Sequence, residues 1–246
     1  MTTATAMDFI LSSLAEAFRL IISADPYLLS VIAVSLKVSL AALIASALIS
    51  ALFASFISLA RFPGRGLLRL LMHTGMGVPS VIVGLFVLML LTHGGPFGAL
   101  GLIWTPTAMI ISQSVLIIPL MTGVMLAALE SVDELIADAA TTLGAGRWGR
   151  IWTVIREARL GFAAALAAGF GRAISEVGSV MLVGGNIVWS DGLSYTRTLT
   201  TAIVVETRKG NFETALALGL ILLALVLGLN LMIGVLRGRQ GWRARS

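Results

Sequence analysis

Apolar residues in this chain come in long unbroken blocks rather than at alternating positions. A helix that crosses a bilayer needs about 20 consecutive, mostly apolar residues. Five blocks reach that length, at 28–60, 75–92, 105–129, 161–185 and 213–236, each bounded by Gly, Pro or charge. Alternation of period two, the mark of a membrane strand, is absent. The pattern therefore predicts an all-α integral membrane protein with about five transmembrane helices. The stretch at 9–22, "FILSSLAEAFRLII", differs from the blocks because Ser12, Glu16, Arg19 and Ser23 recur at helical spacing. A helix with one such polar stripe lies in the membrane interface, and a sixth span is the alternative. Asp25-Pro26 ends it. The first block is longer than a bilayer requires, which predicts tilt or protrusion. Lys37, early in that block, has the reach to snorkel to the outer headgroups.

Composition agrees with the pattern and removes other classes. Of 246 residues, 58% are hydrophobic and 12% charged, against about 25% charged in a soluble domain. The formal net charge is +5, and only Lys37 and Lys209 are lysine. The arginines form short clusters at the ends of apolar blocks, not one stripe interleaved with aromatics, so nucleic acid is not the expected partner. No cysteine is present, which excludes disulfides, thiol catalysis and cysteine-based metal sites. His73 and His93 stand at opposite ends of one apolar block, too far apart to share a metal, and no metal site is expected.

Arginine placement sets the expected orientation. Arg61, Arg65 and Arg69 follow the first block. Arg147, Arg150, Arg156 and Arg159 lie between the third and fourth, and Arg237, Arg239, Arg243 and Arg245 follow the fifth. With five spans these three regions share one side, the cytoplasmic one, with the C-terminus inside and the N-terminus outside. The expected organisation is an N-terminal amphipathic segment (1–26), a membrane domain (27–237) containing a cytoplasmic loop (130–160), and a basic tail (238–246).

That loop carries the most informative stretch, "DAATTLGAGRW", starting at Asp138. The run "ESVDELIADAATTLGA", from Glu130, reads as an amphipathic helix, with Val132, Leu135, Ile136, Ala139 and Leu143 on one face and Asp133, Glu134 and Asp138 mainly on the other. Gly144 and Gly146 end that helix. A second helix, "RWGRIWTVIREARLG", follows. A short helix with small residues at its tip and a sharp turn behind it can press closely into a groove on another protein. Here the chain resembles the permease subunits of ABC importers, whose loop signature is Glu-Ala-Ala, three residues, Gly, nine residues, then Ile-x-Leu-Pro. Asp138, Ala139, Ala140 and Gly144 match the first half, with aspartate for glutamate. At the second half stand Val154-Ile155-Arg156-Glu157, without the proline. The stretches 169–187 and 196–212 resemble the oxyanion-importing branch, its tungstate-type members in particular.

The resemblance implies the architecture of a type I ABC importer permease in a bacterial or archaeal inner membrane. It implies a homodimer, two cytoplasmic ATPase subunits docked through Asp138, Ala139, Ala140, Leu143, Gly144 and Arg147, and an extracytoplasmic oxyanion-binding protein. ATP and Mg would be bound by the partner ATPase, because neither lysine follows a glycine and so no P-loop exists here. The chain is thus expected not to be an enzyme itself and to hold no cofactor. For the anion path, Arg172 and Glu176 fall one helical turn apart in the fourth block, where ionisable groups face protein or water. Pro79, with the expected kink, Ser80, Ser112, Gln113 and Ser114 complete that candidate set, for which helix packing is the alternative role. Thr198, Thr200, Thr201, Glu206 and Asn211 are the candidates for an outer gate or for contact with the binding protein. Tungstate is the expected solute, with molybdate or another oxyanion next. A self-powered secondary transporter or channel is the alternative of another class.

Overall fold

The structure is a computed structural model and describes residues 3–23, 25–60 and 62–243. It is all-helical apart from one isolated bridge, Val188 to Ser194. Helix α1 (Thr3–Ile22) is followed by α2 (Pro26–Leu59), α3 (Arg65–Met76), α4 (Ser80–Leu91) and α5 (Pro106–Glu130). Two short helices, α6 (Glu134–Thr142) and α7 (Arg147–Glu157), lead to α8 (Arg159–Ile174) and α9 (Gly178–Gly184). The last two are α10 (Leu199–Arg208) and α11 (Phe212–Arg243).

Among the described residues, α2 and α5 are each long and apolar enough to cross a bilayer. The pairs α3–α4 and α8–α9 pass the same test only as bent pairs, so the second and fourth apolar blocks are broken rather than straight. The second block was expected to begin at residue 75, yet α3 starts at Arg65, and Pro79 sits in the break before α4 rather than kinking one helix. Proline there has a physical reason. It disfavours helical geometry in the residue before it, so the chain leaves α3 at Gly77 and restarts at Ser80. The fifth block lies in α11, whose first part, Phe212–Gly228, is a shorter apolar helix. Helix α1 has 20 residues but is not among the helices long and apolar enough to span.

The exposed side of α2 gives a measure of the lipid-facing band. Leu40, Ile44, Leu48, Leu52, Phe56 and Leu59 are all exposed and succeed one another at nearly every turn. At 1.5 Å per residue they cover about 29 Å, close to the ~30 Å hydrocarbon thickness. Lys37 is exposed and stands one turn beyond the first of them, where its ammonium can reach headgroups. The exposed side continues back through Ala33 and Leu29, so the apolar face of α2 is longer than one bilayer requires.

The chain divides into two compact units. One is drawn from residues up to 41, 80–113 and 174–231. Within it, α4, α5 and α9 share a core of Val87, Leu91, Met109, Val180 and Val183, and α10 packs Leu199 and Ala202 on Leu28, Val31, Leu218 and Ile221. Gly84 allows α4 to lie directly on α9, because a Cβ there would come 2.6 Å from Ser179 Cα. The other unit is drawn from 42–79, 114–173 and the residues beyond 231. In it α2 and α5 run parallel. Ser46 Oγ donates to the Ser114 carbonyl at 3.5 Å and Ser50 Oγ to the Ile118 carbonyl at 3.1 Å. Helix α3 runs antiparallel to the last turns of α5, with Met76 against Gly123 and Gly75 against Pro119. Arg65 and Arg69 both pair with Glu130 at the end of α5.

Candidate functional site

The loop after α5 builds a projecting knob from a few local interactions. Asp133 caps α6, its Oδ1 accepting the Leu135 N–H at 2.9 Å. An aspartate at that position satisfies one of the orphan N–H groups of the first turn. The helix is therefore shorter than expected, starting at Glu134 rather than near Glu130. It ends in a reversal: Leu143 N–H donates to Ala139 O, Gly144 N–H to Thr141 O and Ala145 N–H to Ala140 O. Gly144 has φ +84°, the left-handed region that costs a side-chain-bearing residue but not glycine. Gly146 then caps α7. Across the turn, Arg150 Nη2 lies 3.7 Å from Asp138 Oδ1, both side chains more than half exposed, so this pair adds little stability.

Burial corrects the expected face of α6. Val132, Leu135, Ile136, Ala139 and Leu143 do not form one inward face. Ala137 is buried and Val132, Ile136 and Ala140 are half-buried. Leu135, Ala139 and Leu143 form a separate outward strip, with Leu135 71% and Leu143 88% exposed. Asp138, Gly144 and Arg147 beside this strip are exposed as well. On α7, Val154 is buried while Trp148 and Trp152 are exposed. The base of the knob is not close-packed. A groove of about 590 Å³ runs beneath it, between Ala127 and Ala128 of α5, Ile136 of α6, Ala158 at the end of α7 and Gly161 at the start of α8. Where the family signature has proline, Glu157 ends α7, and Ala158 N–H donates to Val154 O. The helix thus runs its full length before turning into α8.

The candidate path residues lie on several elements. Arg172 is half-buried in the last turn of α8. Glu176 lies in the break between α8 and α9, so the two do not share the face of one continuous helix. Glu176 is 4% exposed and accepts the Ser179 N–H at 3.1 Å, while its own carbonyl accepts from Thr200 Oγ1 at 2.8 Å. Ser112 and Gln113 are buried within α5, and Ser114 is half-buried. Ser80 opens α4, and Pro79 is exposed before it.

The outer candidates are mostly inward. Thr198 caps α10 in a reciprocal arrangement with Thr201, and Thr198 Oγ1 also lies 2.9 Å from Thr200 Oγ1. All three threonines are buried, as is Glu206; only Asn211 is exposed. Burial raises the Glu206 carboxyl, but hydrogen bonds from Lys209 and Asn211, the Lys209 charge and the Arg197 charge outweigh it and hold the group below its ordinary value. Both bonds are 2.8 Å. The hydroxyls thus act as scaffold, and a surface contact in this segment falls to Asn211 and its exposed neighbours.

Sequence reasoning missed two features. One is the row of buried small residues on α2, Ser35, Ser39, Ala42, Ser46, Ser50 and Ala54, which repeats at helical spacing and was legible on that ground. The other is Arg197. Its Nε donates to Asn186 Oδ1 at 3.1 Å, Nη1 to Tyr27 Oη at 3.1 Å and Nη2 to Asn186 O at 3.5 Å.

Residues 47–241 match the family described as binding-protein-dependent transport system inner membrane component. A Haloferax volcanii protein named "Probable anion ABC transporter permease protein" is 51% identical over 88% of this chain and 94% of its own. The tungstate uptake system permease protein of Peptoclostridium acidaminophilum is 37% identical over 92% of this chain and 97% of its own. Among solved structures, a bacterial alginate ABC transporter in complex with a periplasmic protein bound to an alginate pentasaccharide superposes with a TM-score of 0.72. It covers 95% of this chain and 87% of its own at 19% identity. That likeness is one of fold.

Proposed function

The chain belongs to the binding-protein-dependent ABC importer permeases, in their oxyanion branch, and from that premise we propose that it is the membrane-spanning subunit of an ATP-driven importer of tungstate. The observation that carries the reading is the knob, with Leu135, Ala139 and Leu143 facing outward on a helix reversed by Gly144. Such a surface is what a membrane subunit without a nucleotide site of its own needs to receive work from a motor. In this reading two copies form the pore, two ATPases hold ATP and Mg and grip the two knobs, and an extracytoplasmic protein delivers the anion. Five spans cross the inner membrane, with the knob and the C-terminus in the cytoplasm. Arg172 lends positive potential to the path, and the hydroxyl and amide groups of Ser80, Ser112, Gln113 and Ser114 supply neutral donors that bind an oxyanion without holding it.

The relatives' names support tungstate over molybdate, and no residue described above reads the difference between two tetrahedral dianions of nearly equal size. The test is uptake of tungstate into proteoliposomes with the cognate ATPase and binding protein, and with each omitted. Uptake is expected only with both partners and ATP. Uptake by this chain alone, driven by an ion gradient, would establish a secondary transporter instead. Competition by molybdate and sulfate in the same assay ranks the solutes.

A further inference from the structure

We propose that Arg197 is an anion-receiving group of this chain, a point at which a tetrahedral oxyanion meets the permease as it enters. The inference rests on the oxyanion reading above and adds a residue to it.

Arg197 is half-buried in the segment between α9 and α10. Its three hydrogen bonds go to neutral oxygens only, the Asn186 amide, the Asn186 carbonyl and the Tyr27 hydroxyl. Among the described residues no carboxylate lies within ion-pair distance of it. Two other cations of the same unit are paired, Lys209 with Glu206 and Arg19 with Glu16, whereas exposed Lys37 and Arg208 lack the fixed hydrogen bonds that hold Arg197. The Arg197 charge is therefore fixed in place without a direct ion pair, the Glu206 carboxyl lying only near enough to feel it.

A guanidinium has five N–H donors in a rigid fork. Three are used here, which leaves two for a ligand. A planar fork with free donors suits the oxygens of an oxyanion, and the bond is charge-assisted. The anchors also hold it still. Tyr27 stands in the first turn of α2. The neighbouring Ser194 N–H and Leu199 N–H are tied to the same helix through Ser30 Oγ and Ser35 Oγ. The extra length of α2 thus serves as a post for this segment. Immediately after Arg197 comes the capped start of α10, whose dipole adds positive potential of the same sign.

A merely structural arginine would have the same neutral partners, so the test must separate charge from scaffold. Tungstate uptake, ATP hydrolysis and thermal unfolding are measured for the complex with its ATPase and binding protein. Arg197→Gln is expected to lower uptake about tenfold, the size of one charge-assisted hydrogen bond. Binding-protein-stimulated hydrolysis and unfolding should stay near wild type, and Arg197→Lys should recover most of the uptake. Should Arg197→Gln also lower the unfolding temperature, Tyr27→Phe, which removes an anchor and no charge, decides by leaving uptake largely intact. Normal uptake in Arg197→Gln overturns the proposal. So does an equal loss in the Gln and Lys variants, or a loss in Tyr27→Phe as large as in Arg197→Gln. A wild-type complex that takes up no oxyanion would refute the permease reading itself, a distinct outcome.

Discussion

Hydroxyl groups do more of the holding in this chain than charges do. Ser46 and Ser50 fix the register of α2 on α5, and Thr198, Thr200 and Thr201 are buried around the start of α10. The threonines could be picked out from sequence as polar residues in an apolar context, but their inward direction could not. A capping hydroxyl and a surface hydroxyl look alike until the helix start is known. The same holds for Arg172 and Glu176, whose spacing suggests one helical face only while the helix is assumed continuous. Glu206 shows charge at work outside the spans. Its carboxyl is held below the ordinary value, so its bonds to Lys209 and Asn211 contribute stability above the usual carboxylate range, and that contribution is lost as pH falls through the folded value. Thermal unfolding of wild type should therefore weaken on acidification more steeply than that of Glu206→Gln. Parallel pH curves for the two would show that the carboxylate contributes nothing.

Helix lengths and breaks carry the next layer. The apolar blocks located the membrane segments of α2 and α5 closely, because continuous hydropathy is a strong signal. It located the fourth within two residues at each end but missed the breaks in both the second and the fourth, and the start of the second at Arg65, because a break at Gly77–Pro79 or at 175–177 hardly alters average hydropathy while it redirects the chain. The loop helix α6 was legible by its pattern, yet its apolar positions turned out to serve two directions, Ala137 inward and Leu143 outward. Burial in a short helix depends on which neighbours exist, and periodicity cannot supply them. The packing of α4 on α9 rests on the missing side chain of Gly84. Gly84→Leu should push these helices apart and destabilise the protein by about 1–3 kcal/mol, the usual range for overpacking. Denaturant unfolding in detergent measures it; an unchanged midpoint would mean that α4 and α9 do not pack this closely.

For the molecule as a whole, the proposed reading is a permease subunit that takes its energy from a partner. The exposed apolar side of α2 is long enough to cross a bilayer, the segment between α9 and α10 is tied to the first turns of that helix, and the loop between α5 and α8 offers an exposed apolar strip. In the proposed function the work of transport enters through that strip. Ala139→Trp and Leu143→Arg alter the strip without touching a buried residue, so the permease should fold and unfold as wild type does. The decisive measurement is ATPase co-purification together with tungstate uptake by these two variants in proteoliposomes. The account predicts that both are lost together while the permease remains intact; full attachment and uptake in both variants would contradict it.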